Sequence, residues 1–394
     1  MLPLSAFAVG IVFGRFVLAL APRVVLGDHI TYEGTLLGEI EHFQNIKFAE
    51  ARRFAPPEIY TPQKGLFVDA SSPGPACPQI KDALPPFFAE TPDVSEDCLN
   101  LRIARPVDTS KDSKLPVVVH IYGGGVIKGS AYDPHFEPDK LLSTAMANGK
   151  PVIYVAINYR VTIFGFARLP ILKEQKSLNL GMRDQRAAFD WIKTHISAFG
   201  GDPDKITSFG TSSGGTFSSL QLMAYGGERG VPFNQIWSMS GPPGTALNIT
   251  SDFTTMHTLA VSTKLGCGND LKEEEKVLEC LRNVPMEKLL DVAMAYSREN
   301  HPPLGLFTFI PSVDDDFLPG RTTALYETGR FVKGDCIAQF VQLITDNFRN
   351  THCLRMGTRR RSYKRWPGPP YSIRGGHDSP YKGLWFWSKY QANV

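Results

Sequence analysis

The chain has no C-x-x-C pair among its six cysteines, no collagen-like period and no low-complexity tract. The first absence removes the zinc and thioredoxin-like frameworks that depend on that spacing. The others exclude fibrous and disordered classes. Net charge is also small, with 42 Lys+Arg against 39 Asp+Glu. That balance hides a split. Residues 339–394 carry 10 basic and 2 acidic side chains, which leaves 32 against 37 in residues 1–338. A mildly acidic body lacks the basic face that phosphate backbones require, so no nucleic-acid partner is expected.

What is present is material for a large globule. A length of 394 residues, 42% of them hydrophobic, suffices for one large α/β domain or two smaller ones. Residues 4–21 form an apolar N-terminal segment ending in Ala19-Leu20-Ala21, the small-residue pattern of a cleavable secretory signal. Arg15 lies within that run and Pro22 directly follows it, so a retained signal anchor is the alternative. After signal removal no stable membrane span is expected. One sequon, Asn248-Ile249-Thr250, marks a glycosylation acceptor in a secreted protein. Cys77/Cys98 and Cys267/Cys280 are close enough in sequence to close short loops, as suits an oxidising compartment. Spacing alone leaves the connectivity open, with buried reduced thiols as the other reading.

The most informative stretch is Lys205 to Leu220. Ile206 to Phe209 is β-prone, Gly210-Thr211-Ser212-Ser213-Gly214 fits G-x-S-x-G, and Thr216 to Tyr225 carries helical spacing. A serine on such a strand-to-helix turn needs a strained backbone, tolerable only where its neighbours lack side chains. Ser212 is therefore the candidate nucleophile, above the positive end of the following helix. Upstream, Pro116 to Tyr122 is a continuous apolar run, as in a strand buried on both faces, and it leads into Gly123-Gly124-Gly125. Amides in a glycine run can approach an oxyanion closely, which makes Gly124 and Gly125 candidate donors beside the Ser213 amide. This chemistry needs no metal or cofactor, and none is expected.

Pro151 to Asn158 reads as a second buried strand and Asp184 to Phe199 as an amphipathic helix. Strands alternating with helices predict an α/β fold with a mostly parallel sheet. Residues 252–265, 271–281 and 285–296 add helices outside it. His120 reads as structural, His195 as a helix residue and His301 as a loop residue. Phe87 and Phe88, in the proline-rich loop between Cys77 and Cys98, read equally as the rim of a cleft or as packing.

At this point the chain resembles the type-B carboxylesterase/lipase family, the cholinesterase-like α/β-hydrolases. The matching stretches are Ser95 to Leu101, Ile121 to Ser130, Asn158-Tyr159-Arg160, Asn179 to Arg186, Phe199 to Pro203, the serine elbow and Met239-Ser240-Gly241. The resemblance runs from about Val24 to about Ala338. It implies an α/β-hydrolase fold, incomplete at the C-terminus, and hydrolysis of a small-molecule or lipid ester through an acyl-enzyme. It further implies Ser212 as nucleophile, Gly124, Gly125 and Ser213 as oxyanion donors, and disulfides Cys77–Cys98 and Cys267–Cys280. Val126 stands where phenylalanine is common. The family's D-E-G acid and H-G-S-E-like histidine segments are absent after Lys333. His377, flanked by Gly375 and Gly376, is the candidate base by chain order; His352 and Asp346 are the other late candidates.

The expected organisation is a signal at 1–21, a hydrolase domain at 22–338 and an atypical, poorly ordered basic tail at 339–394. The expected function is a secreted serine carboxylesterase or lipase. The alternatives are an inactive cholinesterase-like protein and a truncated or mis-spliced product lacking the triad acid and histidine.

Overall fold

The computed structural model describes residues 21–27, 30–91, 93–241 and 253–333, together with the backbone of two strands, Cys336–Phe340 and His352–Met356. The segments 1–20 and 357–394 lie outside the described residues, as do Asn248, Asp346 and His377. The expectation of poor order beyond about Ala338 falls mainly on residues that are not described. The two late strands pair antiparallel.

The organising element is a seven-stranded sheet of β1 (Thr35–Leu37), β2 (Ile40–Lys47), β3 (Asn100–Pro106), β4 (Leu115–Ile121), β5 (Ile153–Ile157), β6 (Gly201–Thr211) and β7 (Gln235–Met239). Its spatial order is β7-β6-β4-β5-β3-β2-β1. β7, β6, β4 and β5 are joined by parallel ladders, whereas β3, β2 and β1 pair antiparallel. The sheet is thus mixed, and two strands of its parallel part, β4 and β5, are built from the apolar runs. Alternation along β5 explains their composition: Ile153, Val155 and Ile157 join the larger core while Tyr154 and Ala156 join a second cluster with Leu142. Both faces are buried, so neither tolerates a polar stripe.

Helices α1 (Asp139–Ala147), α2 (Leu180–His195) and α3 (Ser213–Gln221) follow β4, β5 and β6. Further helices Phe253–Lys264, Glu274–Asn283 and Met286–Asn300 come after β7. No helix among the described residues is long and apolar enough to cross a membrane.

α2 begins four residues before the expected Asp184, because Asn179 caps it in a left-handed conformation with φ 58°. The Asn179 side chain pairs with the backbone of Ser312 at 2.8 Å in both directions. Asp184 is instead a buried tie inside the helix. It accepts from Arg160 Nε at 2.8 Å, Nη2 at 2.7 Å and the Arg160 amide at 3.0 Å. α2 ends at His195 and a 3₁₀ turn, Ile196–Phe199, completes the predicted span. Disulfides join Cys77 to Cys98 and Cys267 to Cys280.

His120, on β4, is buried between Phe136 and Phe209, with Nδ1 3.0 Å from the Tyr154 hydroxyl. Burial, aided by the nearby Arg102 cation, pushes its pKa down to about 3. The folded state therefore holds it neutral where the unfolded chain would protonate it. Its contribution is intact above the unfolded value near 6.5 and is lost as pH falls from there toward 3. By linkage the loss amounts to on the order of 5 kcal/mol. In thermal unfolding across this window, His120→Gln is expected to flatten the acid-side fall in Tm. An unchanged pH slope would assign the fall to other groups.

Candidate active site

The register of the sheet assembles the candidate residues. In the parallel pair β6–β4, Gly210 stands opposite Ile121, and in β6–β7 Thr211 stands opposite Met239. The two glycine-bearing turns thus leave the sheet level with each other, at the carboxyl ends of parallel strands.

Ser212 lies between β6 and α3 with φ 56° and ψ −128°. This is a conformation that side-chain-bearing residues rarely adopt. It is held by its amide, which donates to Met239 O at 2.9 Å, and by its carbonyl, which accepts from Thr216 at 3.0 Å. The surrounding glycines have no room for a Cβ. On Gly214 it would stand 2.1 Å from Ile121 O, on Gly210 2.5 Å from Gly214 C, and on Gly241 2.3 Å from Ser212 O. One on Gly123 would meet Thr211 O at 2.3 Å and the Ser212 Cβ at 3.1 Å, which places the Gly123–Gly125 segment directly against the elbow. Buried hydroxyls tie strand to helix below it, Ser208 Oγ to Ser218 Oγ at 2.9 Å and Ser218 Oγ to Gly214 O at 3.0 Å.

The Gly124 carbonyl accepts from Ile127 and Lys128, and the two residues inside that turn, Gly125 and Val126, have φ of 60° and 65°. A β-branched residue in that region is strained, and the turn is fixed from several sides. Thr162 N donates to Val126 O at 2.8 Å and Phe307 N to Gly125 O at 3.0 Å. At its base the Tyr122 and Tyr159 rings stack with centroids 4.1 Å apart. Each hydroxyl donates to the other residue's carbonyl, at 2.5 Å and 2.6 Å. Among the described residues, the amides of Gly124, Gly125 and Ser213 donate to no carbonyl or side chain, and Gly123, next to the first of them, stands against Ser212.

Two further residues reach this turn. Leu306 Cδ2 lies 2.4 Å from where a Cβ on Gly125 would stand, and Phe88 Cζ 3.0 Å from the same position on Gly124. The structure separates the two phenylalanines that sequence treated together: Phe87 is 70% exposed, whereas Phe88 turns onto the glycine segment. Leu306 and Phe307 escaped the sequence reading, since one leucine and one phenylalanine after His301-Pro302-Pro303 carry no pattern.

Each histidine whose side chain is described has a partner other than Ser212. His42 faces Asp139, His120 Tyr154, His135 Asp133, His195 the Trp191 ring, His257 Tyr296 and His301 Thr308. His352 lies on a strand of which only the backbone is described.

Comparison with known proteins gives a consistent picture. A family model described as the carboxylesterase family matches residues 23–348. Inactive carboxylesterase-like protein VdtD of Byssochlamys spectabilis is 41% identical over 309 residues, 76% of this chain and 52% of that protein. Secreted lipase ARB07186/07185 of Arthroderma benhamiae is 40% identical over 321 residues, 79% and 56% respectively. Secreted triacylglycerol lipase LIP1 of Gibberella zeae is 33% identical over 325 residues, 76% and 54%. The chain spans about half the length of these curated relatives.

Backbone strain at Ser212 has a measurable consequence. Ser212→Gly is expected to be more stable than Ser212→Ala, which keeps the Cβ, by about 1 kcal/mol in denaturant unfolding; equal stability would remove the strain. Ser213 Oγ is buried without a partner among the described residues. Ser213→Ala should accordingly leave stability unchanged or raise it by about 1 kcal/mol, and a clear loss would reveal a hydrogen bond to that hydroxyl.

Proposed function

Because the chain belongs to the carboxylesterase family, we propose that the Ser212 elbow and the Gly124–Gly125 turn form the acyl-transfer site of a secreted serine carboxylesterase or lipase. The observation that carries this reading is a glycine segment, packed through Gly123 against a serine held at φ 56°, whose Gly124 and Gly125 amides, like that of Ser213, have no acceptor among the described residues. Ser212 Oγ attacks the ester carbonyl carbon and its proton passes to a histidine. The resulting oxyanion accepts hydrogen bonds from the three amides. Collapse expels the alcohol, which takes the proton back, and water then releases the acid by the reverse sequence. The base in this scheme lies outside the described residues; His377 is the candidate on chain order, with Asp346 as a late acid. Phe88 and Leu306 against the glycine segment favour an apolar ester chain. Secretion is supported by the two disulfides and by the secreted-lipase relatives. In that setting Asn248 becomes the glycan acceptor.

A second reading is a family member that keeps the elbow without turnover. The 41% identical relative named as inactive favours it, as does the lack of a Ser212–histidine hydrogen bond among the described residues. A serine without its base loses several orders of magnitude in rate while the oxyanion donors keep a remnant.

Fluorophosphonate labelling followed by peptide mapping, together with turnover of a short-chain nitrophenyl ester, separates the two. A hydrolase gives an adduct on Ser212 and turnover abolished by both Ser212→Ala and His377→Ala. Labelling with turnover no higher than that of Ser212→Ala selects the inactive reading. An adduct on another serine, with activity, removes Ser212 from the role.

A further inference from the structure

Lys128 follows the glycine turn by three residues, and its side chain is fully buried. Lysine is almost never buried without compensation, because its ammonium has three N–H groups to satisfy. Here they meet three oxygens of one segment: Ile80 O at 2.9 Å, Thr91 Oγ1 at 2.9 Å and Lys81 O at 3.4 Å. Asp133, Asp82 and Glu90 are close enough to favour the charged form, which opposes the downward push of burial on its pKa. The adjacent residue repeats the connection. Gln79 accepts from Gly129 N at 2.8 Å and donates to Gly129 O at 2.7 Å.

The acceptors are the two arms of one loop. Thr91 N donates to Lys81 O at 2.8 Å and closes the stem. Beyond it, Leu84 and Phe88 exchange backbone hydrogen bonds at 3.0 Å and form the tip. The Lys128 backbone is anchored at the other end, its amide donating to Gly124 O at 3.3 Å. One residue therefore spans from the glycine turn to the loop that rests Phe88 on that same turn.

We propose that Lys128 is a positioning residue that fixes Phe88 against Gly124 and so limits the length of ester chain that reaches Ser212. The proposal rests on the reading of Ser212 as nucleophile. Lys128 touches no reacting atom; it acts through the loop stem. Without its ammonium, Ile80 O, Lys81 O and Thr91 Oγ1 lose their common donor, the tip gains freedom, and Phe88 no longer closes that side.

The test uses full-chain protein and a pair of nitrophenyl alkylphosphonates, ethyl and octyl, with the rate of Ser212 phosphonylation measured for each. The octyl-to-ethyl ratio is insensitive to the fraction of protein that folds, so a merely structural role does not move it. Lys128→Met is expected to raise this ratio about tenfold. Phe88→Ala should match that shift, and the double variant should go no further. Thr91→Val, which keeps the charge and removes one acceptor, should move the ratio the same way by less, and it carries the test alone should Lys128→Met not fold. An unmoved ratio in the folded variants, or a double variant that adds both effects, overturns the role of Lys128. Wild-type labelling elsewhere or nowhere overturns the reading of Ser212 itself.

Discussion

The structure depends on how closely the ends of β4, β6 and β7 approach one another. At Gly214, Gly210, Gly123 and Gly241, a single added carbon would fall 2.1 to 2.5 Å from a neighbouring backbone atom. Contacts of that kind cannot be relieved by rotating a side chain, because the obstructing atoms are backbone. The close approach lets Ser212 sit in its strained conformation, and it brings the Gly123–Gly125 segment against the serine. Both come from one packing arrangement, with strain held locally and stabilised by the surrounding sheet.

Several polar groups around this centre are buried in pairs or in small sets. Tyr122 and Tyr159 satisfy each other's carbonyls, Arg160 meets Asp184, Asn179 meets Ser312 and Gln79 meets Gly129. Each joins segments far apart in sequence, and each would leave a costly unsatisfied group if one partner were removed. The loops around Ser212 are consequently held by directional bonds, while the nonpolar core beneath supplies bulk burial. Geometry at the elbow thus needs little help from loop rigidity of its own.

The described residues carry the Ser212 turn and the glycine segment packed against it, at the ends of β6 and β4. The acid and base that the proposed acyl transfer calls for fall on segments outside them. The inactive-named relative and the secreted lipases sit at nearly equal identity to the chain, so identity alone does not choose between turnover and its loss.

Much of this was legible in sequence because the constraints are local. The apolar run Pro116 to Tyr122, the G-x-S-x-G of the elbow and the glycine triplet each state their structural need within a few residues. Motif resemblance supplied the cysteine pairing that spacing left open. Other features required the tertiary structure, for a physical reason: they join distant segments. Asp184 gave no sign that it would be buried, because its partner Arg160 lies on another element. The burial of Lys128 likewise depends on Ile80, Lys81 and Thr91, which only the fold brings around it. Phe87 and Phe88 could not be told apart until the loop tip turned one ring to solvent and the other onto Gly124. Sequence determined which backbone conformations were possible at the site, and only the fold decided which side chains would surround it.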